Sequence, residues 1–302
     1  MLTDGGPQLS WNLLRDVEAV LEYHFMINAL LAGSAVAVLA GLVGWMMILR
    51  REAFAGHTLS MMAFPGASAA ALAGVPAAWG YLSFCAGGAL AIGRLGDGAR
   101  GSWREEAAGV GMVQALALGL GFLFVSLYGG VLGDLEGLLF GNLLGVSDGE
   151  VLTLAVVTVV VLAALAAIAR PLLLSSVDPE TASARGVPVR ALSTVFLALL
   201  GLAVAATSQV TGPLLVFALL VMPAAGAQAL TSRPVVSIAA TVLIGLASVW
   251  IGLGFSYFSV YPPGFYIAAV SFGFYLLARL VAAFGQRPRR PATPVLAFAD
   301  AS

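Results

Sequence analysis

The sequence of 302 residues contains no lysine, a single cysteine and very little charge: all 14 basic residues are arginine, and Asp, Glu, Lys and Arg together make up 10% of the chain. An ordinary soluble domain carries roughly 25% charged residues. A water-soluble globule of this length could not cover its surface with so few, and 60% of the residues are hydrophobic, with a mean hydropathy of +0.99. A cytosolic enzyme, a nucleic-acid binder and a disordered chain are thereby excluded, leaving an all-α polytopic membrane protein. The lone cysteine, Cys85, excludes a disulfide scaffold and any four-thiolate metal cluster. Its neighbours Ser83, Ala86, Gly87 and Gly88 read as close helix packing. The first twenty residues lack an apolar core and do not read as a cleaved signal peptide.

Long apolar runs are what the chain has in abundance. A helix needs about 20 apolar residues to cross a bilayer. Candidate segments are 25–49, 57–75, 77–96, 107–128, 149–169, 191–209, 212–230, 234–258 and 264–284. Pro65 interrupts the second, and Pro213 and Pro223 the seventh, so the expectation is eight or nine transmembrane helices. Residues 8–23 read as an amphipathic interfacial helix, which makes 1–24 an extramembrane N-terminal segment before a transmembrane domain at 25–284. Residues 285–302, with three arginines and three prolines, are expected to be a flexible cytoplasmic tail.

Arginine sets the orientation. With the segments around 50–56, 97–106, 170–190, 231–233 and 285–302 in the cytoplasm, every arginine but Arg15 lies at or beyond the inner face. The segment 129–150 then falls outside, with Asp134, Glu136, Asp148 and Glu150 and no basic residue. It draws cations or receives a basic rim of a partner, or it is simply a loop obeying the charge asymmetry.

One inner loop is capped at both ends. Asp178 suits the N-cap, Pro179 the first helical position, and Glu180 the positive helix end. Gly186 suits a left-handed C′ position and Pro188 stops continuation, so a helix of about two turns is expected within 176–188. It is either a tidy connection or a lever for another protein.

Among apolar segments, polar side chains stand out. His24 precedes the first span and reads as an interfacial anchor. His57 and Met61 are four residues apart and share a helix face, and Pro65 has no N–H to give the Met61 carbonyl. Imidazole, thioether and a loose carbonyl on one stripe could hold a cation briefly; helix packing is the bland alternative. Asn28, Gln114, Gln209, Thr211 and Gln228 read as hydrogen-bond partners between helices.

The segment Asp178-x-Glu180-x-Ala182-x-x-x-Gly186-Val187-Pro188 resembles the coupling segment of zinc/manganese-type permeases of ABC importers. Further blocks agree in order: Ala29 to Gly33, Leu49-Arg50-Arg51 with Ala53-Phe54, Gly56-x-x-Leu59-Ser60 with Phe64-Pro65-Gly66, Leu139 to Leu144, Gly212 to Leu215, Leu219 to Ala225, and Ser256-Tyr257 before Pro262-x-Gly264. The resemblance spans about 24–284. It implies a type II importer fold in a bacterial inner membrane and a pair of permeases, most simply a homodimer. It also implies an ATP-binding subunit engaged through Asp178, Glu180, Ala182 and Gly186, and an extracytoplasmic metal-binding lipoprotein. The cargo it implies is zinc or manganese. No nucleic-acid partner, catalytic residue or permanently bound cofactor is implied. Without lysine the chain has no phosphate-binding Gly-x-x-x-x-Gly-Lys-Ser/Thr loop, so ATP belongs to a separate subunit.

The family places an Asp where His57 stands and a His where Met61 stands. The softer His/Met pair leans toward copper, with imidazole common to zinc, copper and iron. The missing Asp makes the path more neutral, which keeps a metal chelate such as a siderophore or cobalamin as an alternative cargo beside copper or iron.

Overall fold

The computed structural model describes residues 18–98, 103–128, 141–259 and 261–285. The N-terminal segment expected to be amphipathic therefore lies outside the described residues up to position 17, as do the tail beyond 285 and acidic Asp134 and Glu136. Nine α-helices are described: α1 His24–Leu49, α2 Ala53–Ala73, α3 Ala77–Gly98, α4 Trp103–Tyr128, α5 Asp148–Val177, α6 Pro179–Ala184, α7 Val189–Leu230, α8 Pro234–Tyr257 and α9 Pro263–Gly285. No strand occurs among the described residues.

Six of these helices are long and apolar enough to cross a membrane: α1, α4 from Ala107, α5, α7, α8 and α9 up to Phe284. The helix α2 is long enough but, rich in small and polar residues, is not apolar enough to join that group, and other helices cover it. Nearly every residue from Ala55 to Ala70 is buried, including Thr58, Ser60 and Ser68. Leu59, Met62 and Gly66 meet α3, whereas Thr58, Phe64 and Pro65 meet α4. Pro65 does not break the helix; α2 runs through it.

The 42 residues of α7 would extend about 63 Å if straight, at 1.5 Å per residue. Both of its ends nevertheless meet the same end of α1. Ser193 accepts a hydrogen bond from Arg50 Nη2 at 2.9 Å, and Gln228 Nε2 donates to the Trp45 carbonyl at 2.8 Å. The chain therefore folds back between them. The reversal falls at Gly212, whose φ of 73° and ψ of 156° only glycine adopts readily. Pro213 follows, with a ring that fixes φ for the start of the second arm. The two arms correspond to the candidate segments 191–209 and 212–230.

The α1 helix crosses the second arm of α7 at Gly44, backbone against backbone: a Cβ there would lie 2.1 Å from the Leu220 oxygen. At its other end α1 meets the segment before α5. Asn28 Nδ2 donates to Asp148 Oδ1 at 2.6 Å and to the Val146 carbonyl at 3.2 Å, and His24 Nε2 lies 2.9 Å from the same Asp148 oxygen. The α5 N-terminus is closed by a capping box, Ser147 with Glu150.

Candidate functional site

Two places in this fold hold the residues singled out from the sequence: a stripe on α2 and the short helix α6.

Because α2 is continuous, His57 and Met61 stand about 40° apart around its axis. This side faces away from α3. The His57 ring packs edge-on against Phe217 of the second α7 arm, with centroids 4.7 Å apart and planes at 61°. The His57 side chain is half-buried, and its Nδ1 atom is buried without a hydrogen-bond partner among the described residues. Met61 is 9% exposed. A nitrogen with no fixed partner and a thioether on one stripe leave lone pairs uncommitted, which is what a transient cation ligand requires. One chain does not complete a metal site. Among the described residues, no three His, Cys, Asp or Glu side chains converge.

The α6 helix forms as its capping residues dictate. The Asp178 Oδ1 accepts from the Thr181 N–H at 2.9 Å and Oδ2 from the Thr181 hydroxyl at 2.5 Å. Those bonds, the hydroxyl's first, hold the Asp178 carboxyl below the ordinary carboxylate range, so the cap is ionised at neutral pH. At the other end the Gly186 N–H donates to the Ser183 carbonyl and the Val187 N–H to the Ala182 carbonyl, each at 3.0 Å. With Gly186 at φ 78°, this is a Schellman closure. Between these caps the helix runs for six residues, just under two turns, and ends where Arg185 leaves the α-helical path. Glu180, Ser183 and Ala184 face outward, while Ala182 is fully buried against the flanking helices. Ala182 therefore anchors the helix and offers no surface to a partner.

A model of the ABC 3 transport family matches residues 22–282. The chain belongs to the ABC 3 transport family. It is 32% identical over 268 residues to the manganese transport system membrane protein MntC of Halalkalibacterium halodurans, a match covering 88% of this chain and 90% of that protein. Its fold is similar to a chain of PsaBC from Streptococcus pneumoniae in complex with Fab. The TM-score is 0.77 at 26% identity, covering 88% of this chain and 95% of that one. A transporter described as of the metal-chelate type, in an inward-facing conformation, matches with a TM-score of 0.67 at 18% identity and shares the fold alone. As a member of the ABC 3 transport family, the chain is a multi-pass membrane subunit of a transporter, as the ordered motif blocks implied.

Three features of this family member escaped the sequence. Phe217 comes to His57 only through the reversal at Gly212. His24 pairs with Asp148, although it reads as a simple interfacial anchor. The Arg50 side chain, expected at the inner face as a topogenic charge, is only 9% exposed and is bonded to three elements. Of the polar span residues, Asn28, Gln114 and Gln228 do bond between helices. Gln209 and Thr211 turn instead to their own helix, at Ala205 and Thr207. Cys85 is buried, with Sγ 3.6 Å from the Leu59 carbonyl, in keeping with close packing.

Proposed function

We propose that this chain is the membrane-spanning subunit of an ATP-driven importer for a divalent transition-metal ion, manganese first and zinc second. The observation that carries the reading is the rigid helix α6, which presents Glu180 outward between two membrane helices of an ABC-family chain. It suits a surface that a separate ATP-hydrolysing subunit grips. Supporting the choice of metal is the manganese relative, which covers nearly the whole chain at 32% identity. The relative described for chelates resembles this chain in fold only, so the chelate alternative is set aside.

In this reading the chain crosses the membrane nine times. Six helices qualify by length and composition; α2 and α3 add two, and α7 counts twice because it reverses at Gly212. Nine crossings put the His24 end of α1 and the acidic segment outside, and the arginine-rich turns, α6 and the C-terminus in the cytoplasm. An extracytoplasmic binding protein delivers the ion to a pathway between two copies of the chain. Each copy contributes His57 and Met61, so that two imidazoles and two thioethers hold the ion in passing. ATP binding closes the partner subunits, moves α6 and alternates the access of that pathway. The metal is cargo, and no resident cofactor is needed.

The test is whole-cell metal content by mass spectrometry. Cells express the permease with its ATPase and binding protein, beside an ATPase-inactive control, across Mn, Fe, Co, Cu and Zn. Selective gain of manganese or zinc is expected, and His57→Ala at unchanged membrane level should lower it at least about tenfold, the scale that even outer-shell partners of a metal command. Gain of no free metal, or of copper alone, contradicts the reading.

A further inference from the structure

Arg50 is the last residue before the tight turn between α1 and α2, a turn in which Arg51 adopts φ 61° and Glu52 caps α2. Its guanidinium bonds in four directions. Nε and Nη2 lie 3.0 and 2.8 Å from Glu52 Oε1. Nη1 donates to Ser176 Oγ at 3.3 Å and Nη2 to Ser193 Oγ at 2.9 Å. The Cζ atom lies 5.3 Å from the centroid of the buried Phe196 ring, within cation–π range.

Ser176 is the penultimate residue of α5 and Ser193 lies in the first turns of α7, so these two partners flank α6 on either side. The fork of one arginine thus holds both roots of the short helix. Its third partner, Glu52, is the N-cap of the helix that carries His57 and Met61. The Glu52 carbonyl accepts from the Gly56 N–H at 3.0 Å, and His57 follows about 7.5 Å along the axis. Burying an ion pair is expensive, and an apolar contact would tie two helices as firmly. What the guanidinium adds is a set of planar, directional bonds that cannot follow one partner without pulling on the others.

We propose that Arg50, locked to Glu52, is the positioning residue that carries movement of α6 to α2 and so to the His57/Met61 stripe. The proposal rests on the importer reading above. Displacement of α6 moves Ser176 and Ser193; the guanidinium moves with them; Glu52 and the start of α2 follow. Arg50 touches neither metal nor nucleotide, and its part is to keep ATP hydrolysis and transport in step.

The experiment uses the full complex of permease, ATPase and binding protein in proteoliposomes, with manganese(II) as the probe, recording ATP hydrolysis and uptake together. Arg50→Lys keeps the charge and the 3.5 Å bond that the Ser193 hydroxyl donates to Glu52 Oε1 but loses the fork. Ser176→Ala with Ser193→Ala cuts every hydroxyl link from the roots of α6 while leaving the Arg50–Glu52 pair intact. Both variants should assemble and hydrolyse ATP, with manganese taken up per ATP reduced at least about fivefold, the lower end of typical coupling between sites. A merely structural role would lower uptake and hydrolysis in proportion, through loss of assembled complex, and that result overturns the proposal. An unchanged ratio in the double serine variant also overturns it, and that variant decides the matter if Arg50→Lys does not reach the membrane. Should the wild-type complex import no divalent metal, the importer reading fails and this inference fails with it. A wild type that imports while the variants keep its ratio defeats the inference alone.

Discussion

At Gly44 a methyl group would sit 2.1 Å from the Leu220 oxygen, against backbone that has no rotamer to retreat into. Gly44→Ala must therefore push α1 off the second arm of α7. A destabilisation of about 1–3 kcal/mol is expected, the usual cost of overpacking. It should appear as a lowered unfolding midpoint in detergent, while Gly149→Ala, where a Cβ meets nothing within 4 Å, should leave the midpoint unchanged. Equal behaviour of the two variants would refute this packing. At this scale the sequence was legible wherever a residue's meaning is local. His57 and Met61 share a face because they are four apart on a helix, whatever surrounds them. Arg50 was not legible in this way. Its serine partners lie 126 and 143 residues further along the chain, and nothing in the local pattern distinguishes a buried arginine from a topogenic one. Phe217 was hidden for the same reason.

The short helix α6 is the element that the sequence specified best, since Asp178, Pro179 and Gly186 each act within a few residues of themselves. Substituting alanine at Gly186 tests how far its shape matters. Open space surrounds the position, so the cost is conformational: about 1–2 kcal/mol for a Cβ in the left-handed region. ATP-driven uptake should fall in Gly186→Ala and be largely kept in Gly186→Asn, because asparagine tolerates that region. Equal uptake in both would show that the closing turn carries no functional load. The prolines misled at this scale. Pro65 reads as a break, yet α2 continues because its neighbours bury it from Ala55 to Ala70 and tertiary packing outweighs one missing hydrogen bond. Pro213 marks a real interruption, but the residue that turns the chain is Gly212 before it.

For the whole molecule, charge distribution said more than charge total. The acidic start of α5 packs on the His24 end of α1, and the Arg50 end of α1 packs beside α6. The two ends of α1 thus hold an acidic and a basic group apart, in keeping with the charge asymmetry of the sequence. With Cys85 buried and the only cysteine, a Cys85→Ala background permits a direct check of sidedness. A membrane-impermeant maleimide should label Ser183→Cys only from the cytoplasmic side and Gly149→Cys only from outside; the same side for both would refute nine crossings. The number of crossings is hard to read because α2 and α3 do not qualify by length and composition as membrane helices and α7 contains a reversal within one run.

The central claim is that ATP hydrolysis by a partner subunit drives a divalent metal through this chain. Its most direct measurement is manganese(II) uptake into proteoliposomes holding the purified permease, ATPase and binding protein. We expect uptake that requires ATP, saturates, competes with zinc, is abolished by an inactive ATPase and falls sharply with His57→Ala. Uptake that ignores ATP, or ATP hydrolysis with no metal entering, would contradict the account.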